Sequence, residues 1–350
     1  MNQKIIKLVV SIILVMIFSC DEPETVVTNI IHPDGSVTRK IEMRREGGDF
    51  DINNIQVPLD STWVISESLE ISDKGDTTWV KMAEKLFKNT DELNLAYKTD
   101  TGCNSHLKRH AEFQKNFRWF NTIYRFSETV EKKLRFGYPL SDFMNKEELL
   151  WYYSPENYTV SKMNGPDSLI YKPISDSIEK KEEEWFFRSL VAEWAGEFRE
   201  RTGKQTGESL SADTIKKWED NFMRMIKTHD KDFDSLWKSG FILSEVIGSQ
   251  TAVTFKTEAD SAISVVEDKI LAQFAAYSVK AFMPGKLISS NGFADSSNTV
   301  LWPVSDDFFL TENYEMWAES KVPNIWAWIV SGVFVVFVIT GLILRKNKGG

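Results

Sequence analysis

Three side chains that could bind a metal ion lie close together in the chain, at Cys103, His106 and His110. Thiolates and imidazoles are ligands that Zn²⁺ prefers, and two histidines four residues apart share one face when they lie on a helix. The spacing therefore admits a transition-metal site. Against it, no fourth ligand is evident, and no glutamate separates the histidines as it does in zinc proteases. The interpretation that we favour is a surface turn that leads into a helix.

Three alternating acidic residues, Asp230, Asp232 and Asp234, begin like a calcium-binding loop. Such a loop needs glycine at its sixth position and a bidentate glutamate at its twelfth. Ser235 and Phe241 occupy those two positions. The pattern therefore indicates a solvated acidic helix end, and we predict no calcium site.

A serine and a lysine three residues apart, Ser235 and Lys238, match the S-x-x-K pattern of penicillin-recognising enzymes. The companion motifs of those enzymes are missing, and neither a nucleophile elbow nor a phosphate or dinucleotide loop appears. The chain has only four histidines, but its 51 acidic residues leave carboxylate catalysis open. We predict no particular catalytic residue and no cofactor.

The N-terminus has the pattern of an export signal. Lys4 and Lys7 precede an apolar run from Leu8 to Phe18, which is long enough for a signal-peptide core and short for a membrane span. The run ends in Ile17-Phe18-Ser19-Cys20, which resembles the lipobox of bacterial lipoproteins. The resemblance implies that residues 1–19 are removed and that Cys20 is acylated as the first mature residue. The alternative is an uncleaved signal anchor.

The C-terminus contains a second hydrophobic segment, Ile325–Leu344, which is twenty residues long and carries no charge. At about 1.5 Å per residue it spans roughly 30 Å, the thickness of a bilayer's hydrocarbon core. Trp326 and Trp328 lie at its beginning, where indole rings favour the headgroup zone. Basic flanks stay in the cytoplasm, so we predict a cytoplasmic tail at residues 345–350 and an exported domain at residues 20–324.

The charge balance limits the possible partners. The whole chain has a formal net charge of −9, and its acidic residues all lie within the exported domain. This argues against nucleic-acid binding and against broad binding to anionic headgroups. If Cys20 is acylated, Cys103 is the only other cysteine, so no intramolecular disulfide is expected.

Hydrophobic periodicity predicts strands at both ends of the exported domain and helices in its middle. The predicted strands are Thr25–Ile31, Val37–Arg44, Trp63–Ile71, Tyr277–Met283, Leu287–Ser290, Val300–Trp302 and Tyr314–Lys321. The predicted helices are Trp79–Asn94, Ile178–Arg201, Ala212–His229 and Ala259–Phe274.

An aromatic-rich stretch, Glu112–Phe136, has alternating residues around Trp119–Phe126. We predict a central strand that is buried on both faces. Core packing is the favoured explanation of these aromatic residues, and a platform for carbohydrate or lipid is the alternative.

These elements predict an α+β fold in which a mostly antiparallel sheet packs on central helices. The sequence MPGKLISSNG at residues 283–292 and TVLWPV at residues 299–304 precede the membrane segment. This arrangement resembles the end of some uncharacterised bacterial lipoproteins, which implies a shared architecture and no known activity.

We therefore expect an envelope lipoprotein of the inner membrane, held by lipid at Cys20 and by the C-terminal helix. In this interpretation the exported domain is non-enzymatic and binds a partner protein or an apolar ligand. The alternative is a membrane-tethered hydrolase that uses carboxylates, which requires a cleft with paired acids of perturbed pKa.

The short connections to both anchors predict how the domain lies on the membrane. The five residues Asp21–Thr25 lead from Cys20 into the first predicted strand, and three residues separate the last predicted strand from the helix. We therefore expect Val26 and Lys321 to lie near the same, membrane-facing end of the domain. Their strands would be antiparallel and could be neighbours in the sheet. The turn at Pro33–Gly35 would then point away from the membrane.

Cys20→Ala tests the lipobox. The variant should keep its signal peptide and lack acyl chains, because the thiol that accepts the lipid is gone, and mass spectrometry should show a heavier polypeptide. It should stay in the membrane fraction, since one lipid anchor is weak beside a spanning helix. A mass and an extraction behaviour identical to those of the natural chain would contradict the interpretation.

Overall fold

The chain folds as an α+β protein with a C-terminal apolar helix, as the sequence predicts. The computed structural model describes residues 23–50, 59–71, 75–100, 106–154, 168–206, 212–228, 233–271, 276–295 and 298–347. Two sheets, a group of helices and the apolar helix make up this described part.

The strands are β1 (Glu24–Ile31), β2 (Val37–Glu46), β3 (Val64–Ile71), β4 (Thr77–Phe87), β5 (Arg109–Arg118), β6 (Asn121–Val130), β7 (Tyr277–Phe282), β8 (Lys286–Ser290), β9 (Phe293–Ala294), β10 (Thr299–Val304) and β11 (Tyr314–Pro323). The helices are α1 (Thr90–Lys98), α2 (Lys146–Tyr152), α3 (Ser168–Thr206), α4 (Ala212–Thr228), α5 (Phe233–Lys238), α6 (Phe241–Ile247), α7 (Ser249–Thr254), α8 (Lys256–Leu271) and α9 (Ile325–Asn347). Two short 3₁₀ helices cover Leu140–Asp142 and Asp306–Phe309.

The strands form two sheets rather than the one that the sequence predicts. The large sheet has the order β3-β4-β2-β1-β7-β10-β9, and the small sheet has the order β5-β6-β11-β8. Only the β1–β7 pair is parallel among the described strand pairs. Alternate residues of both sheets, such as Val27 and Ile41 from one and Tyr124 and Phe126 from the other, share one buried core. The two sheets therefore pack face to face.

A buried ionic group lies within this sandwich and joins the two sheets. Arg39 on β2 donates to Glu128 on β6 across 3.1 Å, and their side chains are 0% and 1% exposed. Tyr97 on α1 donates to the other oxygen of Glu128 at 2.8 Å and accepts a hydrogen bond from Arg39. Burial would raise the pKa of Glu128, but the charge of Arg39 and the Tyr97 hydroxyl outweigh it and lower that pKa.

The helices enclose a second core. Helix α3 packs against α4 and α8, and its residues Val191, Trp194 and Phe198 are buried there. The helix predicted at Ile178–Arg201 lies within α3, and the one predicted at Ala212–His229 matches α4 as far as Thr228. The helix predicted at Ala259–Phe274 coincides largely with α8. The short helices α5 to α7 were not predicted, because two turns are too short for a 3.6-residue period to be visible.

The predicted helix at Trp79–Asn94 is wrong over its first half. Those residues belong to β4, which pairs with β2 on one side and β3 on the other. Helix α1 begins only after Asn89, whose side chain accepts a hydrogen bond from the Glu92 amide at 3.0 Å. The spacing of its apolar residues is compatible with a helix or a strand. Hydrogen bonding to two neighbouring strands stabilises the strand.

Helix α9 continues directly from the small sheet. It includes Ile325–Arg345, a segment long and apolar enough to cross a membrane, and little of it is buried. Asn324 fixes its beginning, because its side chain donates to the carbonyls of Arg118 and Trp119 at 2.7 and 3.2 Å and accepts from Thr122 at 2.9 Å. Its backbone amide donates to Phe120 at 2.9 Å. The β5–β6 turn thus holds the helix rigidly.

The expected orientation of the first strand is wrong. Val26 pairs with Ser278, near the beginning of β7, whereas Lys321 pairs with Lys286, which follows the end of β7. Since β1 and β7 are parallel, β1 runs toward the apolar helix α9, as β11 does. The two strands also belong to different sheets. The turn after β1 therefore lies toward the helix, where Pro33 accepts a hydrogen bond from Lys115 on β5 at 3.0 Å.

Arg39→Ala should destabilise the fold by roughly 3–5 kcal/mol, because it leaves the Glu128 charge buried without its partner. Lys40→Ala is the control, since Lys40 forms a half-exposed pair with Glu84 and its loss should cost less than about 1 kcal/mol. Thermal or denaturant unfolding of the full chain measures both. The double variant Arg39→Met with Glu128→Leu should recover much of the loss, and an Arg39→Ala effect as small as that of Lys40→Ala would contradict the assignment.

Candidate functional site

An open cleft of about 470 Å³ lies where α2 approaches the beginning of β11. We name it the aromatic cleft. Its apolar lining is Leu149, Leu150, Tyr153, Phe293, Trp302, Phe308 and Tyr314, and its polar lining is Lys146, Asn291, Glu312, Asn313 and Glu315. Strand β11 has ten residues, so at about 3.3 Å per residue the cleft lies roughly 30 Å from the membrane helix along the strand.

Helix α2 forms one wall of the cleft and is fixed at its beginning. Asn145 accepts hydrogen bonds from the Glu147 and Glu148 amides at 2.9 and 3.0 Å, while the Glu148 side chain accepts from the Asn145 amide at 2.9 Å. Such a reciprocal capping box stabilises a short helix. Lys181 on α3 also donates to Glu148 at 2.6 Å, so α2 is held against the helical core.

Three aromatic rings form the floor of the cleft. The Tyr153 and Phe308 rings meet edge to face with centroids 4.8 Å apart, and Phe308 lies 5.4 Å from Tyr314. The Tyr153 and Tyr314 rings stack at 6.0 Å, and the Tyr314 hydroxyl donates to the Pro303 carbonyl at 2.7 Å. The rings are therefore rigid, half-buried and able to accept an apolar or cationic group on their faces.

Polar groups surround these rings. Asn291 accepts from Trp302 at 2.9 Å and from the Trp317 amide at 2.8 Å, and it donates to the Glu315 carbonyl at 2.6 Å. Burial, together with the charge of Glu312, raises the pKa of Tyr153 to about 12. Arg125 pairs with Glu315 at 3.3 Å, so Glu312 is the carboxylate in the described lining that no salt bridge offsets, and it favours a basic group on the bound partner.

Two carboxyl groups with raised pKa lie behind the cleft. Burial and the charge of Asp307 raise the pKa of Glu182 to about 7, although the neighbouring Tyr152 hydroxyl opposes this. Burial and Asp306 raise the pKa of Asp307 to about 6. The Tyr152 ring packs on Phe308 at 5.4 Å, and neither acid belongs to the cleft lining. Neither acid is therefore placed to meet a group bound in the cleft.

A second open cleft of about 420 Å³ lies between α8 and the outer end of β6, and its lining includes four lysines. Each of these amines has a partner. Lys108 faces Glu131, and Lys133 pairs with Asp306. Lys132 donates to the Arg135 carbonyl. Lys269 bridges Glu193 and Glu197. This lining is therefore largely neutralised and offers no strong site for an anion.

The residues of the proposed metal motif do not share a helix. His106 lies in a turn beside the second cleft, and His110 lies on strand β5, where its ring is 3.4 Å from Glu112. The expectation of a common helix face is therefore wrong, and β5 replaces the predicted helix. Cys103 lies outside the described residues, as does Cys20. The described part of the chain contains no group of three or more metal-binding side chains.

The two other weak motifs gain no support from the structure. Asp230 and Asp232 lie outside the described residues, and Asp234 belongs to the short helix α5. Ser235 and Lys238 are both exposed on α5. Between them Trp237 is buried in the helical core and donates to Asp260 at 3.0 Å. This helix is therefore a packing element.

The comparisons with known proteins give little direct guidance. No family model and no curated protein matches the chain. A solved structure that matches is the folded domain of LppM from Mycobacterium tuberculosis, with 9% identity over 87% of this chain and 91% of that chain. The TM-score of this match is 0.27. At that value the likeness carries no argument about function, so the chemistry of the cleft depends on its own residues.

No sequence pattern indicates the aromatic cleft. Phe308 and Tyr314 come from a 3₁₀ turn and the nearby beginning of β11, whereas Tyr153 comes from the end of α2, far away in the chain. A helix ending in adjacent tyrosines, Tyr152 and Tyr153, was the available signal. It could not reveal its partners, because a short helix and a turn carry no periodic pattern.

Glu182→Gln should stabilise the protein above pH 7 and have less effect at pH 5. A folded-state pKa of about 7, above the usual 4.5, means that the folded protein binds the extra proton between those values. Stability from this group is therefore present at low pH and is lost as the pH rises through 7. Thermal unfolding should show a Tm increase of roughly 2 °C or more at pH 8.

The control is Glu183→Gln, because Glu183 is the exposed neighbour on the same helix. It should leave the Tm unchanged at both pH values. A Glu182→Gln effect that is equal at pH 5 and pH 8 would show that the carboxyl group does not titrate in this range.

Proposed function

We propose that the protein is a membrane-anchored envelope lipoprotein of non-enzymatic type, which binds a segment of a partner protein in the aromatic cleft. The observation that supports this most strongly is the open cleft itself. It combines a rigid floor of Tyr153, Phe308 and Tyr314 with a polar rim, and it lies at the end of the small sheet opposite the membrane helix.

The composition of the cleft favours a protein segment over a buried lipid. Binding interfaces concentrate aromatic residues at their centre and polar residues at their rim. A ligand of purely apolar chemistry would remove water from the exposed carboxylates of Glu312 and Glu315, whose partners within the chain are the Leu140 amide and Arg125, and would offer them no further polar contact. A partner segment with one apolar or aromatic side chain and a neighbouring lysine or arginine would satisfy both parts of the lining.

The two anchors support a location at the outer face of the bacterial inner membrane. Acylation of Cys20 and the spanning of α9 would hold the domain on the exported side, with residues 345–350 in the cytoplasm. Because Asn324 ties α9 to the β5–β6 turn, the cleft would keep a fixed position relative to the membrane helix. Such rigid attachment suits a protein that presents a binding surface to a partner in or near the membrane.

A carboxylate-dependent hydrolase is the second candidate, since Glu182 and Asp307 have the raised pKa values that a general acid requires. Their position opposes this role. A catalytic acid must come within hydrogen-bond reach of its substrate, whereas neither Glu182 nor Asp307 lines the cleft.

A photo-crosslinking residue placed at Leu150 in the full chain tests the binding proposal in native membranes. Leu150 lines the cleft and is 50% exposed, while Leu95 on α1 is 60% exposed and lies outside it, which makes Leu95 the matched control. We expect a discrete protein adduct from position 150 and none from position 95. Tyr153→Ala in the same chain should weaken that adduct severalfold, because truncating a central aromatic anchor typically costs about 1–2 kcal/mol or more.

The thermal unfolding of each labelled variant must match that of the natural chain. Identical adducts from both positions, or none from Leu150 in cells that express the protein, would contradict the proposal. Hydrolysis of the crosslinked partner that stops in Asp307→Asn would instead support the second candidate.

A further inference from the structure

Three aromatic side chains project from the β5–β6 turn and are not buried in the sandwich. Phe117, Trp119 and Phe120 are 59%, 47% and 38% exposed. This corrects the expectation of a central strand buried on both faces, since β6 from Asn121 to Phe126 buries only alternate residues. It leaves the lipid-platform alternative for the aromatic stretch open at this turn.

These aromatic side chains contact the beginning of the membrane helix. Trp326 stacks on Phe117 with ring centroids 6.2 Å apart and meets Trp119 edge to face at 5.2 Å. The Phe120 ring lies 4.4 Å from that of Trp328. The turn and the helix therefore form one aromatic group at the end of the small sheet.

The depth of this group follows from a hydrogen bond. Trp119 donates its indole N–H to the Ser331 hydroxyl at 2.9 Å. Ser331 lies six residues after Ile325, which corresponds to about 9 Å along the helix axis. The Trp119 ring thus lies beside the apolar segment, so a helix that crosses the bilayer carries this ring into the headgroup and acyl boundary with it.

The charge distribution around the turn is the second observation. A row here is a set of residues that pair with one another across neighbouring strands of the small sheet. The four rows nearest α9 contain the basic residues Arg118, Lys321, Lys286 and Lys115 and no acidic residue. Lys286 and Lys321 are direct cross-strand neighbours, an arrangement that is unfavourable without an anion nearby. In the described part of the chain none of the four cations forms an ion pair, and acidic partners begin one row further, where Arg125 binds Glu319 at 3.2 Å.

We propose that this end of the small sheet is a bilayer-contacting surface. The turn with Phe117, Trp119 and Phe120 inserts at the acyl boundary, and Arg118, Lys115, Lys286 and Lys321 bind anionic phospholipid headgroups. The net negative charge of the domain excludes broad binding to such headgroups, but the local row of cations supplies one restricted contact. Each lysine or arginine near an anionic surface adds to the attraction.

The bilayer is the occupant that fits this surface, rather than a second copy of the chain. The aromatic residues are hydrogen-bonded and stacked to a helix whose own residues at that depth, including Val330 and Phe334, are exposed. A second copy would also bring the same unpaired cations together, which costs energy. The contact is independent of any ligand in the aromatic cleft and depends only on α9 crossing the membrane.

Quenching of tryptophan fluorescence by lipids brominated near the top of their acyl chains tests the insertion, with the full chain reconstituted in vesicles. Trp119→Phe should lower the quenchable emission by roughly a third, because Trp119, Trp326 and Trp328 are the indoles at the junction. Trp151→Phe, a change on α2 away from the junction, should leave it unchanged. Equal quenching in all three chains would overturn the insertion.

Spin-labelled phosphatidylglycerol and phosphatidylcholine, compared in the same vesicles, test the headgroup contact. The full chain should select phosphatidylglycerol over phosphatidylcholine. Neutralising the basic residues of the cytoplasmic tail removes their share of this selectivity. In that background the double variant Lys286→Glu with Lys321→Glu should remove most of the selectivity that remains. Lys98→Glu with Lys238→Glu changes exposed lysines elsewhere and should preserve it. Unchanged selectivity in the first pair, or a crosslink between two turns of neighbouring copies, would overturn the proposal.

Discussion

The buried pair of Arg39 and Glu128 is the interaction on which the arrangement of the sandwich depends. Removing two charges from water is costly, and their attraction repays this only when the geometry is good and further hydrogen bonds are present. Tyr97 supplies one of those hydrogen bonds from α1, so three elements meet at one point. Since Glu128 lies on β6 and β6 pairs with β11, the pair also fixes the strand that leads into the membrane helix.

The strands and the apolar helix were predictable because each carries a strong local signal. Alternating apolar and polar residues indicate β1 and β2, in which every second residue is buried. A run of twenty uncharged residues indicates α9. The division into two sheets left no such signal, because an alternating strand shows that one face is buried and not which strands are its neighbours. The error at β4 has a similar origin. Its apolar residues are spaced in a way that fits a helix as well as a strand, and pairing with β2 and β3 makes the segment a strand.

The candidate site was less accessible to sequence reasoning than the fold. Tyr153, Phe308 and Tyr314 come together only because α2, which Glu148 holds against α3, brings Tyr153 beside the beginning of β11. The aromatic residues that the sequence did single out have two roles. Tyr124 and Phe126 belong to the core, as favoured, whereas Phe117, Trp119 and Phe120 lie at a turn and contact α9. A strand and its terminal turn carry the same residue types, so composition alone could not separate them.

The direction of β1 has a consequence for the tilt of the domain. Glu24 lies at the end of β1 remote from the membrane helix, about 23 Å from Ile31 at 3.3 Å per residue. Only three residues separate Glu24 from Cys20, and they reach at most about 14 Å. An acylated Cys20 in the same leaflet would therefore draw the far end of the sandwich down. Its strands would then run more nearly along the membrane plane than along the normal, with the tilt set by two fixed points, Cys20 beyond the far end of β1 and α9 at the near end of β11.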